Sequence, residues 1–156
     1  MKCKQHLETY FRENHTSFLT QHHPIAYTAQ EIAASEHVPG KMVVKVVMVM
    51  ADGNLVMLAV PAPAHVNFMK AQNVLHAKEV RLAKEEEFGG AFPDSEVGAM
   101  PPFGNLYNLP VYVDDKLTED DRIVMQTGTP TDTLSMKFAD FERLVKPKVA
   151  DLTGPR

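Results

Sequence analysis

The chain has 156 residues, sixteen of them basic and twenty acidic, for a net charge of −4. Its length fits one domain of the usual ~100–200 residues, and 44% hydrophobic with 23% charged residues excludes a disordered chain. The mild acidity disfavours a wide nucleic-acid-coating surface, which would draw its affinity from a basic excess, but not a grip on one end of a nucleic acid.

Leu7, Tyr10 and Phe11 recur at helical spacing, with Glu8, Arg12 and Glu13 opposite, and predict a helix over Gln5 to Asn14. Cys3, just before it, falls in an N-terminus expected to fray. Thr28-Ala29-Gln30-Glu31 fits a capping box and opens a short helix from Gln30 to Glu36. Val38-Pro39-Gly40 stops it. Met42 to Met50 is β-branched and apolar on both faces, Ala51-Asp52-Gly53-Asn54 carries the Asp-Gly hairpin signature, and Leu55 to Val60 returns. A hairpin apolar on both faces belongs in the middle of the fold, covered on both sides.

Pro61-Ala62-Pro63-Ala64 breaks the pattern and predicts a helix to about Ala71. Lys78 to Ala83 alternates as a short strand, and Lys84 to Glu87 reads as a solvated helical turn. Phe92 to Gly104 is a loop with three prolines and two glycines. Short strands follow at Val111–Val113, Ile123–Met125 and Leu134–Met136. A last helix, Ala139 to Val145, ends before Pro147, and the tail to Arg156 is expected to fray. The strands are too short and hairpin-rich for a doubly wound parallel sheet. The expected fold is α/β of α+β type: one domain with a mixed, curved, partly barrel-like sheet flanked by helices.

Other classes fall away. Met42 to Ala51, the longest apolar run, is interrupted by Lys45 and is far shorter than the ~20 residues of a membrane helix. No apolar signal core follows Met1, and the lone cysteine makes the reducing cytoplasm the default compartment. Neither a Gly-x-Ser-x-Gly elbow nor a His-Glu-x-x-His zinc motif is present. His22 and His23 would point to opposite faces of a strand and are expected to be a solvated pair. No metal or cofactor is expected.

Lys45 is the most informative residue. An ammonium in a strand buried on both faces costs several kcal/mol unless it is paired or opens onto a cleft. Either its tip snorkels to water, or it projects into a pocket and positions a carbonyl or carboxylate. The second feature is Gly98-Ala99-Met100-Pro101-Pro102-Phe103-Gly104. Glycines let the backbone approach a ligand, the proline pair stiffens the loop, and free N–H groups there can build an oxyanion or carboxylate site. No Gly-Lys-Ser/Thr follows, so it is not a phosphate loop.

The order of these features carries a resemblance. Tyr27-Thr28-Ala29 opens a helix, Val44-Lys45-Val46-Val47 sits in a strand, and Val60-Pro61-Ala62 ends its partner. Val80-Arg81-Leu82-Ala83, Phe92-Pro93-Asp94, Glu96 to Gly104 and Leu109-Pro110-Val111-Tyr112-Val113-Asp114 follow. This pattern resembles the YbaK / prolyl-tRNA-synthetase-associated editing domain family from about Thr16 to Leu144. The resemblance implies a trans-editing aminoacyl-tRNA deacylase with a mixed sheet, barrel-like at its centre. It puts Lys45, Gly98, Pro102 and Gly104 around the aminoacylated 3′ adenosine. The loop after Gly128 lies where many members have a pocket-closing polar loop, which nominates Asp132, although the sequence there departs from the family pattern. The amino acid removed differs among members and does not carry over.

The chemistry fits that expectation. The bond is an ester, so a site can position water and stabilise an oxyanion without a protein nucleophile. Lys45 is assigned to hold the substrate near its terminal ribose or carbonyl. The N–H groups of Gly98, Ala99 and Gly104 are candidates for the oxyanion. Tyr27, Thr28, Met100, Pro101, Pro102 and Phe103 complete the expected binding surface. Lys70, Lys78 and Arg81 are candidate rim cations. The expected partner is the 3′ acceptor end of an aminoacyl-tRNA; an aminoacyl-tRNA synthetase is a second candidate, while DNA and membranes are not. Two alternatives stand beside it: a non-catalytic module of the same fold that binds a tRNA end, nucleotide or protein, and a hydrolase of another small ester.

Overall fold

The computed structural model describes residues 2–26 and 28–154. Helices are α1 (Cys3–Glu13), α2 (Ala29–Glu36), α3 (Phe68–Leu75), α4 (Glu85–Phe88) and α5 (Phe138–Val145). Strands are β1 (Leu19–His22), β2 (Val44–Ala51), β3 (Asn54–Pro61), β4 (Val80–Leu82), β5 (Val111–Asp114), β6 (Arg122–Gln126), β7 (Asp132–Lys137) and β8 (Lys148–Ala150). They form a five-stranded mixed sheet in the order β4-β2-β3-β5-β8 and a three-stranded antiparallel sheet in the order β1-β7-β6. A parallel bridge between Val43 and Val124 joins the two sheets.

The β2–β3 hairpin turns at Asp52 (φ 49°) and Gly53 (φ 84°). Both positive angles are what a two-residue I′ turn requires, hence Asp-Gly. The Asp52 carboxylate also accepts the Lys78 and Glu79 backbone N–H groups at 2.9–3.1 Å, seating the start of β4 on the turn. Strand alternation sends Val44, Val46 and Met48 one way and Lys45, Val47, Val49 and Ala51 the other. The first set joins the main core, which the two sheets, α1 and α5 enclose. The second faces α3 and Leu152. A third cluster packs α2 on Val43 and Val124. The hairpin is thus covered on both faces, as its composition predicts.

Phe103 is fully buried at the centre of the main core, 5.3 Å from the Phe11 ring and 5.5 Å from that of Phe141. Truncating such a ring typically costs ~3–5 kcal/mol.

Several expectations are corrected. β1 was not expected, because Leu19-Thr20-Gln21-His22 is exposed throughout and carries no apolar alternation; pairing with β7 creates it. No helix begins at Pro61. That residue ends β3, and α3 starts at Phe68 behind an Asn67 cap whose side chain accepts from Met69 and Lys70 N–H. The N-terminus is not frayed at Cys3, which is buried in α1. Burial lifts its thiol to about 11, against the lowering effect of the Tyr107 hydroxyl, so the thiol is inert near neutrality. The tail is not frayed either: Lys148–Ala150 adds β8 beside β5, and Leu152 is fully buried. His22 and His23 do face opposite ways, but only His22 is solvated. His23 is buried, donates Nδ1–H to the Pro24 carbonyl (2.7 Å) and lies 3.6 Å from the Glu36 carboxylate.

Candidate active site

Lys45 follows the Val43–Val124 bridge by two residues, on the outward face of β2. It lines a cavity of about 490 Å³ with Val47, His65, Val66, Asn67, Phe68, Met69 and Leu82. The lysine thus opens onto a pocket whose walls are mostly apolar. Met69 and Leu82 remain 76% and 59% exposed on its rim, so the apolar lining reaches solvent there. The ammonium is not adrift in this setting, since Nζ donates to the Ala64 carbonyl at 2.5 Å. That carbonyl is one of the partners that orient the charge.

The glycine-proline loop divides into two parts. Gly98 and Ala99 line a second cavity of about 260 Å³, with Glu96, Val97, Gln126 and Pro130. Gly98 has φ +88°, a conformation that L side chains rarely adopt. Its N–H faces the Met100 sulfur at 3.2 Å, a weak acceptor that a developing oxyanion would outcompete. The Ala99 N–H is committed to a turn, donating to the Glu96 carbonyl at 3.1 Å. That bond removes Ala99 from the candidate oxyanion donors. Met100, Pro101, Pro102, Phe103 and Gly104 are all buried and line neither cavity. Gly104 is a packing residue: a Cβ there would lie 2.8 Å from Val111 Cγ2 and 3.2 Å from the Leu109 carbonyl oxygen.

Lys45 and Gly98 therefore line different cavities. They are related through the seam between the sheets. Val43 and Val124 pair in parallel and share one apolar cluster, so Lys45 and Gln126, each two residues further on, leave the seam on the same side. One cavity takes its wall from Lys45 and the other from Gln126.

The remaining candidates lie elsewhere. Thr28 is exposed, and its hydroxyl accepts the Glu31 N–H at 3.0 Å as the cap of α2. Tyr27 lies outside the described residues. Asp132 is held by the Thr129 hydroxyl (2.8 Å), His22 (3.2 Å) and Lys4 (3.5 Å). Burial alone would raise its carboxyl; the hydrogen bonds from Thr129 and His22, with Lys4, outweigh that and hold it at about 2. Its oxygens cross-link α1, β1 and the loop after Gly128. Of the rim cations, Arg81 forms a two-pronged pair with Glu87 at 2.7 Å, and Lys70 donates to Asp151 at 2.9 Å.

Residues 65–69 form a cavity wall that the sequence reading assigned to a helix. Asn67 was the available signal: a strong N-cap type directly before Phe-Met-Lys moves the helix start to Phe68 and leaves 65–67 outside it. Among the described residues, Asp114, Asp115 and Asp151 are the one acidic group close enough to share a cation. The Lys116 ammonium already lies 3.8–3.9 Å from all three. No helix among the described residues is long and apolar enough to cross a membrane.

The elements form an α/β domain of α+β type, built on a mixed sheet joined to a smaller antiparallel one. The aminoacyl-tRNA editing domain profile matches residues 23–144, and the chain belongs to that family. Proline–tRNA ligase from Solidesulfovibrio magneticus is 39% identical over 95 residues, 60% of this chain and 16% of the ligase. The ligase of Acidithiobacillus ferrooxidans is 30% identical over 130 residues, 83% of this chain and 22% of the ligase. The chain thus spans less than a quarter of these two relatives' length. The crystal structure of a proposed trans-editing enzyme for prolyl tRNA synthetase superposes with a TM-score of 0.84 at 20% identity, covering 99% of each chain. At that identity the match speaks for the fold.

Proposed function

We propose that the protein is a trans-editing aminoacyl-tRNA deacylase, which hydrolyses the ester between a mischarged amino acid and the terminal ribose of tRNA. The observation that carries this is Lys45: an ammonium oriented by the Ala64 carbonyl inside a largely apolar cavity. Family membership and the ligase relatives point the same way. A synthetase pocket separates side chains differing by one methylene by only ~1–3 kcal/mol, so errors need later removal.

In this scheme the acylated 3′ end enters at the seam. Lys45 holds the terminal ribose or the ester carbonyl. Water attacks the carbonyl carbon, its lone pair forming the new C–O bond while the C=O π pair moves to the carbonyl oxygen, and the proton it sheds is the one the departing ribose oxygen takes up. The Gly98 N–H turns from the Met100 sulfur to that oxyanion. Collapse expels the ribose oxygen, which takes up a proton, and releases the amino acid and tRNA. No protein nucleophile takes part.

The test is deacylation of a full panel of mischarged aminoacyl-tRNAs by the purified protein and by Lys45→Met. We expect the unaltered protein to hydrolyse at least one and the variant to be slower by ~10²–10³-fold, the usual cost of losing one electrostatic contact to the reacting group. A folded variant with unchanged rates rejects the role of Lys45. Tight binding of a non-hydrolysable aminoacyl-adenosine mimic, with no turnover of any tRNA, would make this a binding module instead.

A further inference from the structure

One wall of the Lys45 cavity, residues 65–67, lies outside both sheets. Residues 62–67 leave the end of β3 and reach α3. On the inner side, the Ala64 carbonyl accepts Lys45 Nζ. On the outer side the wall is gripped by residues beyond 144, the end of the editing-domain match. Gly154 N–H donates to the His65 carbonyl (3.1 Å), Asn67 N–H donates to the Leu152 carbonyl (2.8 Å), and Val66 bridges Thr153. One turn on, Lys70 Nζ donates to Asp151 (2.9 Å) and to the Thr153 carbonyl (2.8 Å).

This segment is itself anchored. Asp114, at the end of β5, is fully buried. Its carboxylate accepts the Leu152 N–H at 2.9 Å and the Thr153 hydroxyl at 3.2 Å. Lys116 Nζ lies 3.8 Å from the same carboxylate and donates to Thr153 Oγ1 at 2.9 Å. A buried carboxylate is costly unless such donors surround it, and nearly all of these come from, or bind to, residues 151–154. Leu152 adds a fully buried side chain among Val49, Val56, Leu58 and Val60.

We infer that residues 151–154 form a strap that positions the cavity wall and, through the Ala64 carbonyl, the Lys45 ammonium, with Asp114 and Lys70 as positioning residues. The strap reaches no reacting atom. It fixes the carbonyl that fixes the charge. The catalytic half of this inference rests on the deacylase proposal; the mechanical half does not. A strap that only added stability would lower the Tm and leave kcat unchanged well below it. A positioning strap lowers kcat in a fully folded protein, since misplacing a catalytic group by about 1 Å from a distance can cost up to ~10²-fold.

The experiment uses the full chain with Lys70→Met, which keeps the stem and loses the ammonium, and Asp114→Asn. Single-turnover deacylation is measured well below each variant's Tm, alongside amide hydrogen exchange at Asn67 and Gly154. We expect faster exchange at both amides, kcat reduced by ~10–10²-fold with a smaller change in KM, and recovery in Lys70→Arg. If Asp114→Asn does not fold, Lys70→Met decides alone. Unchanged exchange, or unchanged kcat in a folded Lys70→Met, overturns the inference. If the unaltered protein deacylates nothing, the deacylase proposal fails and the exchange arm judges the strap: faster exchange upholds it, unchanged exchange sinks it.

Discussion

The Lys45 cavity and the Gly98 cavity take their walls from the two strands of one seam and are held by different kinds of contact. The Lys45 wall depends on partners far away in the chain: β2 pairing sets the lysine's direction, and residues 151–154 hold the segment opposite it. The Gly98 cavity joins two turns: Ala99 N–H on Glu96 closes the first, and Glu96 N–H on the Gly128 carbonyl with Gly128 N–H on the Ala99 carbonyl (2.8 Å each) ties it to the second. α1 then presses on those turns, through Cys3 N–H on the Asp94 carbonyl (3.1 Å) and the Cys3 side chain against Gly128. Register decides which face the charge takes, and the wall held across from it decides where on that face it sits. An amide placed by one positive-φ residue can be moved by a single side chain.

The largest expected effect divides the two regions directly. Lys45→Met should cost ~10²–10³ in turnover with little loss of stability. Gly98→Val has open space around its Cβ but a φ of +88°, so it should cost ~1–3 kcal/mol of backbone strain and turnover together. Thermal unfolding and deacylation measured on both variants check this; a folded Gly98→Val with full activity would make that cavity a turn and nothing more.

Gly104→Ala sharpens the division within the loop. Its Cβ meets Val111, Leu109 and Met57, an overpacking that typically costs ~1–3 kcal/mol. The Tm should fall by roughly 2–4 °C per kcal/mol, with kcat unchanged at low temperature. A loss of kcat without loss of Tm would return Gly104 to the site.

Acid titration separates the loop after Gly128 from both cavities. Asp132 is held at about 2, below the ordinary 3.8 of an aspartate. A lowered folded value stabilises the native state at pH above the unfolded value, and that contribution disappears as pH falls from about 4 towards 2. Denaturant unfolding across this range should show the loss, and Asp132→Asn should lack that part of it. The smallest effect is expected from salt. With Lys70 and Arg81 tied to Asp151 and Glu87, few cations remain for phosphates. The slope of log affinity against log salt should stay far below the ~10 of a broad nucleic-acid footprint.

The sequence located β2 and β3 because, Lys45 apart, their residues are apolar on both faces and the Asp-Gly turn has one good geometry. It located α1 because Leu7, Tyr10 and Phe11 keep helical spacing, and α2 because Thr28 to Glu31 fits a capping box and Val38-Pro39-Gly40 stops it. β1 was illegible, being polar and exposed, and exists because β7 pairs with it. The loop at 98–104 was visible as a loop, yet nothing in its composition says which N–H is spent in a turn. Only the fold assigns Ala99 to Glu96 and leaves Gly98 facing a sulfur.

The residues by themselves determined a hairpin covered on both faces with a charged group where a strand should be dry; the family entered through a resemblance in the order of the motifs. Local patterning suffices for that, since burial period, turn chemistry and an out-of-place lysine are all read within a few neighbours. What only tertiary structure decided is the space around that lysine. A strand's alternation says which face Lys45 takes, but not that residues 65–69 stand across from it, nor that the last residues of the chain hold them there. Those relations join positions tens of residues apart through backbone hydrogen bonds, which every residue type can make and which therefore leave no signature in the sequence.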